Sequence, residues 1–256
     1  LTVIDAGTLR VRARSVAAAI EPVAGQVYFS PECHQAYEAL GFAPSPSNTF
    51  NGVHLPDGPA YFTSRGSVMG QVPGEGVAAA FAVFNPEVVV PLVTYGWSLT
   101  DAPTICEART NGAVGQLTRV LGAEPTGVHR ARDLLLRAAE PLRPEGRPLF
   151  SGLRSLGLPG TPLADVWRAA DLLREYRGDA HTSAWTSAGF DATEIGLLTE
   201  LYWGLPMGTY VRTRVWSDDQ LEAAKDRLHS RGLLDGDAFS AAGRVQREQV
   251  EVTTDE

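Results

Sequence analysis

The chain has 256 residues, 44% of them hydrophobic and 20% charged, with a formal net charge of −8. That length accommodates one large or two small domains with a real core, and the acidic balance argues against a broad electrostatic hold on nucleic acid or an anionic membrane. Cys33 and Cys106 are the only cysteines, too few for a disulfide framework and read as small core residues of a reducing compartment.

No apolar run nears the roughly 18 residues of a membrane span. Residues 1–14 lack the basic and apolar blocks of a secretory signal, so no membrane and a cytoplasmic location are expected. Apolar positions at Val11, Val16, Ile20 and Val23 give a helical spacing over 10–26, with Pro22 near its end. Ser30-Pro31-Glu32 opens a second helix, with serine as cap and proline at the first helical position, and Gly41 stops it. The stretch 44–58 is rich in Pro, Ser, Asn and Gly and reads as a long loop.

Arg65 then lies among Tyr61, Phe62 and Met69, an arginine in apolar company. Helices are expected over 77–84, from Asn85-Pro86 through the nearly apolar 88–95, over 101–121 and over 128–139. Arg109 reads as a surface residue of the third of these. A proline-rich connector at 141–148 follows.

The densest chemistry lies at 172–185. A helix over 163–176 presents Val166, Trp167, Ala170, Leu173 and Tyr176 on an inner stripe, and Asp165, Arg168, Asp171, Arg174 and Glu175 on an outer face. Gly178 reads as its end and Asp179 as the N-cap of a new helix. His181 would then sit in a first turn, where the helix dipole disfavours its charged form.

The last quarter has the clearest local grammar. Asp191-Ala192-Thr193-Glu194 and Ser217-Asp218-Asp219-Gln220 are both capping boxes, opening helices stopped by Gly204 and Gly232. Leu233-Leu234, the turn Asp235-Gly236 and Ala238-Phe239 make a small two-stranded wing, Ser240 caps a final helix, and 253–256 reads as a frayed acidic tail. The expected fold is mainly α, with an N-terminal helical domain over 1–160 and a C-terminal winged helix-turn-helix domain over 161–256.

Several segments together resemble an actinobacterial family of SalK-like helix-turn-helix proteins: residues 61–66 (Tyr-Phe-Thr-Ser-Arg-Gly), Phe81 with Phe84-Asn85-Pro86, residues 146–150, and above all 172–181. Ser240-Ala241-Ala242-Gly243-Arg244 also resembles the same place in MarR-type regulators. The chain departs from the family in having Ala180 where a glycine is common, and in lacking a Trp-Pro pair near Leu158-Pro159-Gly160. The resemblance implies the fold and brings no reaction and no cofactor with it.

The candidate site combines His181 and Asp179 as a catalytic polar centre, Arg65 and Arg174 holding an anionic group, and Tyr61, Trp167 and Trp185 as apolar walls. Its expected occupant is a small organic ligand in a pocket between the two halves, with turnover by His181 as a further step. Each residue also has a structural reading, as a solvated face, a cap or an internal ion pair. The histidines lack metal-ligand spacing and Cys33-His34 points to different sides of a helix, so no metal is expected. A homodimer is compatible with this reading.

The rival is a winged-helix transcriptional regulator. From Thr182 onward seven basic residues face thirteen acidic ones, and the would-be recognition helix opens on Asp218 and Asp219. That surface opposes phosphate contact, and on charge alone DNA is not the expected partner.

Overall fold

Helix caps written in the sequence set most element boundaries. The computed structural model describes residues 5–46, 49–50 and 52–256. The chain divides into two units: Leu1–Val77 with Val90–Asp179, and Ala78–Val89 with Ala180–Glu256.

In the first unit, Asp5 accepts the Thr8 N–H and opens α1 (Ala6–Ala24), which carries Pro22 near its end and passes into a 3-10 turn at Gly25–Tyr28. Ser30 caps α2 (Pro31–Glu38) as expected, with Gly41 at φ +97° just beyond. The stretch read as a loop carries a short antiparallel ladder, β1 (Thr49–Phe50) with β2 (Val53–His54). Ser47, Asn48 and Asn51 of that stretch, like residues 1–4, lie outside the described residues.

Asp57 caps α3 (Gly58–Gly66), so the segment around Arg65 is helical. Then come α4 (Gly74–Phe81), α5 (Pro86–Leu99), α6 (Ala102–Leu121) capped by Asp101, α7 (Val128–Ala139) and α8 (Pro148–Ser155). Despite its β-branched run α5 is a helix, because the Asn85 side chain accepts the Glu87 N–H and fixes its start. Val27, Tyr28, Cys33, Tyr37, Ile105 and Trp167 belong to the buried core of this unit. α2 meets α6 at Gly112, where a Cβ would stand 2.5 Å from the Cys33 Sγ.

Two expectations fail at α9 (Pro162–Ser187). The helix runs unbroken for 26 residues through Gly178 and Asp179, so there is no turn before His181. A single glycine costs a helix interior only about 1 kcal/mol, which tertiary contacts on both sides of it offset: Trp167 and Trp185 are each buried. The supposed outer face is also buried, with Asp165, Arg168, Asp171 and Glu175 all at most 4% exposed.

In the second unit, α10 (Ala192–Tyr202) and α11 (Asp218–Ser230) each begin with the capping box read from sequence. A 3-10 turn over Tyr210–Arg214 lies between them. β3 (Leu234–Asp235) pairs antiparallel with β4 (Ala238–Phe239), Leu234 opposite Phe239, and Ser240 caps α12 (Ala241–Asp255). Trp185, Phe190, Ile195, Leu198, Val211, Leu221, Leu228 and Val250 share one buried cluster. The expected frayed tail is helix almost to its end, with Thr254 buried. Among the described residues no helix is long and apolar enough to cross a membrane.

Candidate functional site

Three of the seven sequence-predicted site residues come together around Glu175 in the first unit. Arg65, on α3, donates from Nη2 and Nε to the two Glu175 oxygens at 2.8 and 3.1 Å, a bidentate pair. Arg174 donates from Nη1 to Glu175 at 2.9 Å and from Nε to Glu21 at 2.9 and 3.0 Å. The Tyr61 hydroxyl accepts from Arg65 at 3.4 Å, and its ring meets Tyr28 edge-on at 5.2 Å.

Tyr28 stands at the centre of this group. Its hydroxyl lies 3.3 Å from Glu175, and the guanidinium carbons of Arg65, Arg109 and Arg174 lie 5.2–5.9 Å from its ring centroid. Burial would raise the Glu175 carboxyl, but Arg65 and Arg174 outweigh it and hold the group at about 2. Burial pushes the Tyr28 hydroxyl well above the usual phenol range. The cations read as anion holders therefore already hold the protein's own carboxylate.

Arg109, expected at the surface, is 1% exposed and pairs with the buried Asp171 at 2.9 Å. Its guanidinium also lies over the ring of Trp167, at 5.1 Å, and Arg168 approaches the same ring at 5.5 Å. Trp167 is thus a buried stacking partner for two arginines. A cavity of 640 Å³ lined by Leu136, Ala139, Phe150 and Leu172, with charged residues of α7 and α8, includes none of the seven predicted residues.

His181 and Asp179 have separate tasks. The Asp179 carboxylate accepts the Phe150 N–H at 3.0 Å, capping α8, whose own N-cap residue Arg147 provides no side-chain bond. Burial raises the Asp179 carboxyl to about 6, against the lowering effect of that N–H. His181 instead meets α12, with Nδ1 3.0 Å from Thr254 Oγ1 and 3.9 Å from the Glu251 carboxylate. Two positions apart on a continuous helix, the side chains project to different sides. Trp185 is core of the second unit. Among the described residues no group of three or more metal-ligating side chains occurs.

The second unit builds a different surface. Glu200, fully buried, accepts the Gly208 and Val211 N–H groups, each at 2.6 Å, and so shapes the connection from α10 to α11. Arg214 stacks between the rings of Tyr210 and Phe84 at 4.4 and 4.6 Å, and the exposed Arg212 pairs with Asp218. Arg227 and Arg231 bind Glu194, which is itself buried, and Lys225 reaches Asp237 at 3.1 Å. Arg244 is exposed on the first turn of α12 and lies against the Phe239 ring. The close packing of this turn needs Gly243, where a Cβ would collide with the Leu233 carbonyl oxygen.

Sequence reasoning overlooked Glu175 as a centre, together with Tyr28, Arg109 and Glu200. Only a polar repeat of three and four positions (Arg168, Asp171, Glu175, Asp179) hinted at a second buried stripe on α9, and the same spacing describes a solvated face.

A family model described as the Helix-turn-helix family matches residues 13–256. No curated protein and no solved structure matches the chain. The family match overturns two expectations, that the main function is binding a small organic ligand and that DNA is not a partner; it points instead to a DNA-binding regulator. Of the carboxylates in that tally, Glu194 and Glu200 face inward and are neutralised or bonded there. Matched over nearly its whole length, the chain belongs to the Helix-turn-helix family.

Proposed function

We propose that the protein is a DNA-binding transcriptional regulator, with α10 and α11 as a helix-turn-helix, α11 as the reading helix and the β3–β4 hairpin as a wing. The observation that carries this reading is the family match over 13–256. The order of elements in the second unit, two capped helices, a hairpin and a closing helix, supports it. Phosphate contacts fall to the exposed Arg212 and Arg244. With Asp218 and Asp219 at the start of α11, few phosphates are neutralised, and binding has a shallow salt dependence.

The test is fluorescence anisotropy with a labelled duplex from upstream of the protein's own gene, against a shuffled duplex of equal composition, at two salt concentrations. Preference for the native duplex is the expected result. Equal affinity for both, or binding to neither at low salt, overturns the proposal.

A further inference from the structure

The segment Ala78–Val89 is distant in sequence from α11 but belongs to the same unit. Four contacts join it to the chain just ahead of α11. The Asn85 N–H donates to the Arg214 carbonyl at 3.0 Å, and Asn85 Nδ2 donates to the Val215 carbonyl at 3.2 Å. Trp216 Nε1 donates to the Val83 carbonyl at 2.9 Å, and Arg214 stacks on Phe84. Asn85 Nδ2 also lies 3.5 Å from the Gln220 Oε1, the side chain that closes the α11 capping box by accepting the Ser217 N–H at 2.9 Å.

The amide of Asn85 can take only one orientation here. Its Oδ1 accepts the Glu87 N–H at 3.0 Å, so the nitrogen must face Val215; flipped, two oxygens would meet. Asn85 and Phe84 are both buried. The backbone on each side of this junction is held in an unusual state. Ala82 and Val215, at φ +53° and +60°, are the non-glycine residues with positive φ among the described residues. For a β-branched residue such as Val215 that conformation is an outlier, and it persists only where the surroundings over-determine it.

We infer that Asn85 is a positioning residue for α11: through its Nδ2 bonds to Val215 and Gln220 it sets the first turn of the helix that reads DNA. This rests on the function proposed above. Asn85 has a second task, capping α5, and a serine separates the two. Asn85→Ser keeps a good N-cap for α5 but is too short to reach Val215, and it adds no charge.

The experiment compares wild type with Asn85→Ser for native and shuffled duplexes, and follows amide hydrogen exchange in both proteins. Loss of the Nδ2 bonds is expected to weaken binding to the native duplex about tenfold. Affinity for the shuffled duplex and the salt slope should stay unchanged. Exchange should quicken over 215–220 while α5 keeps its protection. Trp216→Phe, which removes the neighbouring bond to Val83, should give the same pattern. Unchanged binding to the native duplex, or equal loss on both duplexes, overturns the inference. If the wild type prefers no duplex, the DNA reading itself falls, and unchanged exchange over 215–220 in Asn85→Ser would then overturn the positioning role independently.

Discussion

Glu175 and Asp179 stand one helical turn apart on α9, buried to 2% and 3% exposure, and they hold their protons with opposite strength. Burial penalises both charges. Glu175 has two arginines against it and is held at about 2, whereas Asp179 has a backbone N–H and is pushed up to about 6, with the Glu175 charge adding to the rise. The same helix therefore carries two contributions to stability with opposite pH dependence.

Asp179 is proton-hungry in the folded state, so its contribution is largest below the unfolded value near 3.8 and is lost as the pH rises through about 6. In an Asp179→Asn variant the side-chain amide oxygen would accept the Phe150 N–H without a charge. The variant should be more stable than wild type by on the order of 2 kcal/mol above pH 6, and the gap should close towards pH 4. Urea denaturation at a series of pH values measures this. A gap constant with pH would show that the titration does not belong to Asp179. Asp179→Ala, which removes the acceptor, should lose ~1 kcal/mol of cap energy relative to Asp179→Asn.

Glu175 works the other way. Its folded value lies below the ordinary value of 4.5, so its stabilisation is present above pH 4.5 and is lost as the pH falls towards 2. Glu175→Gln leaves the guanidinium of Arg65 against a neutral partner, and a broken buried pair costs about 3–5 kcal/mol. The expected outcome is a large drop in thermal midpoint at neutral pH, with a shallower acid limb. A variant as stable as wild type would mean that water reaches Arg65 and solvates it.

At Gly243 the limit is steric. A Cβ would collide with the Leu233 carbonyl oxygen, a backbone atom that cannot swing aside. Gly243→Ala should cost the second unit about 1–3 kcal/mol, the range for overpacking, although alanine favours helices by nearly 1 kcal/mol. Tryptophan fluorescence during denaturant unfolding reads the effect, and a stabilised variant would contradict the close approach.

On the DNA side, Arg212→Ala and Arg244→Ala should weaken binding to every duplex alike, and each should reduce the salt slope by about 0.9 if it meets one phosphate. Arg212→Ala should have the larger effect, because it also releases the Asp218 carboxylate from its ion pair. Replacing Asp218 and Asp219 by asparagine should raise affinity without regard to sequence. Salt titration of anisotropy measures all three, and an unchanged slope in both arginine variants would place the phosphate contacts elsewhere.

Local chemistry was legible in the sequence alone. The capping boxes at Asp191 and Ser217, the caps at Ser30, Asp101 and Ser240, and the Asp235-Gly236 turn each satisfy backbone groups within a few residues. Their pattern determined the mainly helical fold and the order of helix, helix, hairpin and helix at the C-terminal end. Tertiary structure decided the rest. Gly178 ends no helix because packing on both sides of it outweighs a cost of about 1 kcal/mol. The charged face of α9 is buried because Arg65, Arg109 and Arg132 arrive from other helices to meet Glu175, Asp171 and Asp165. A carboxylate that caps its own helix and one that caps a helix 29 positions away look alike in sequence, as Asp179 shows. What separates them is the identity of the partner, and for a buried charge that partner is fixed only when the chain has folded around it.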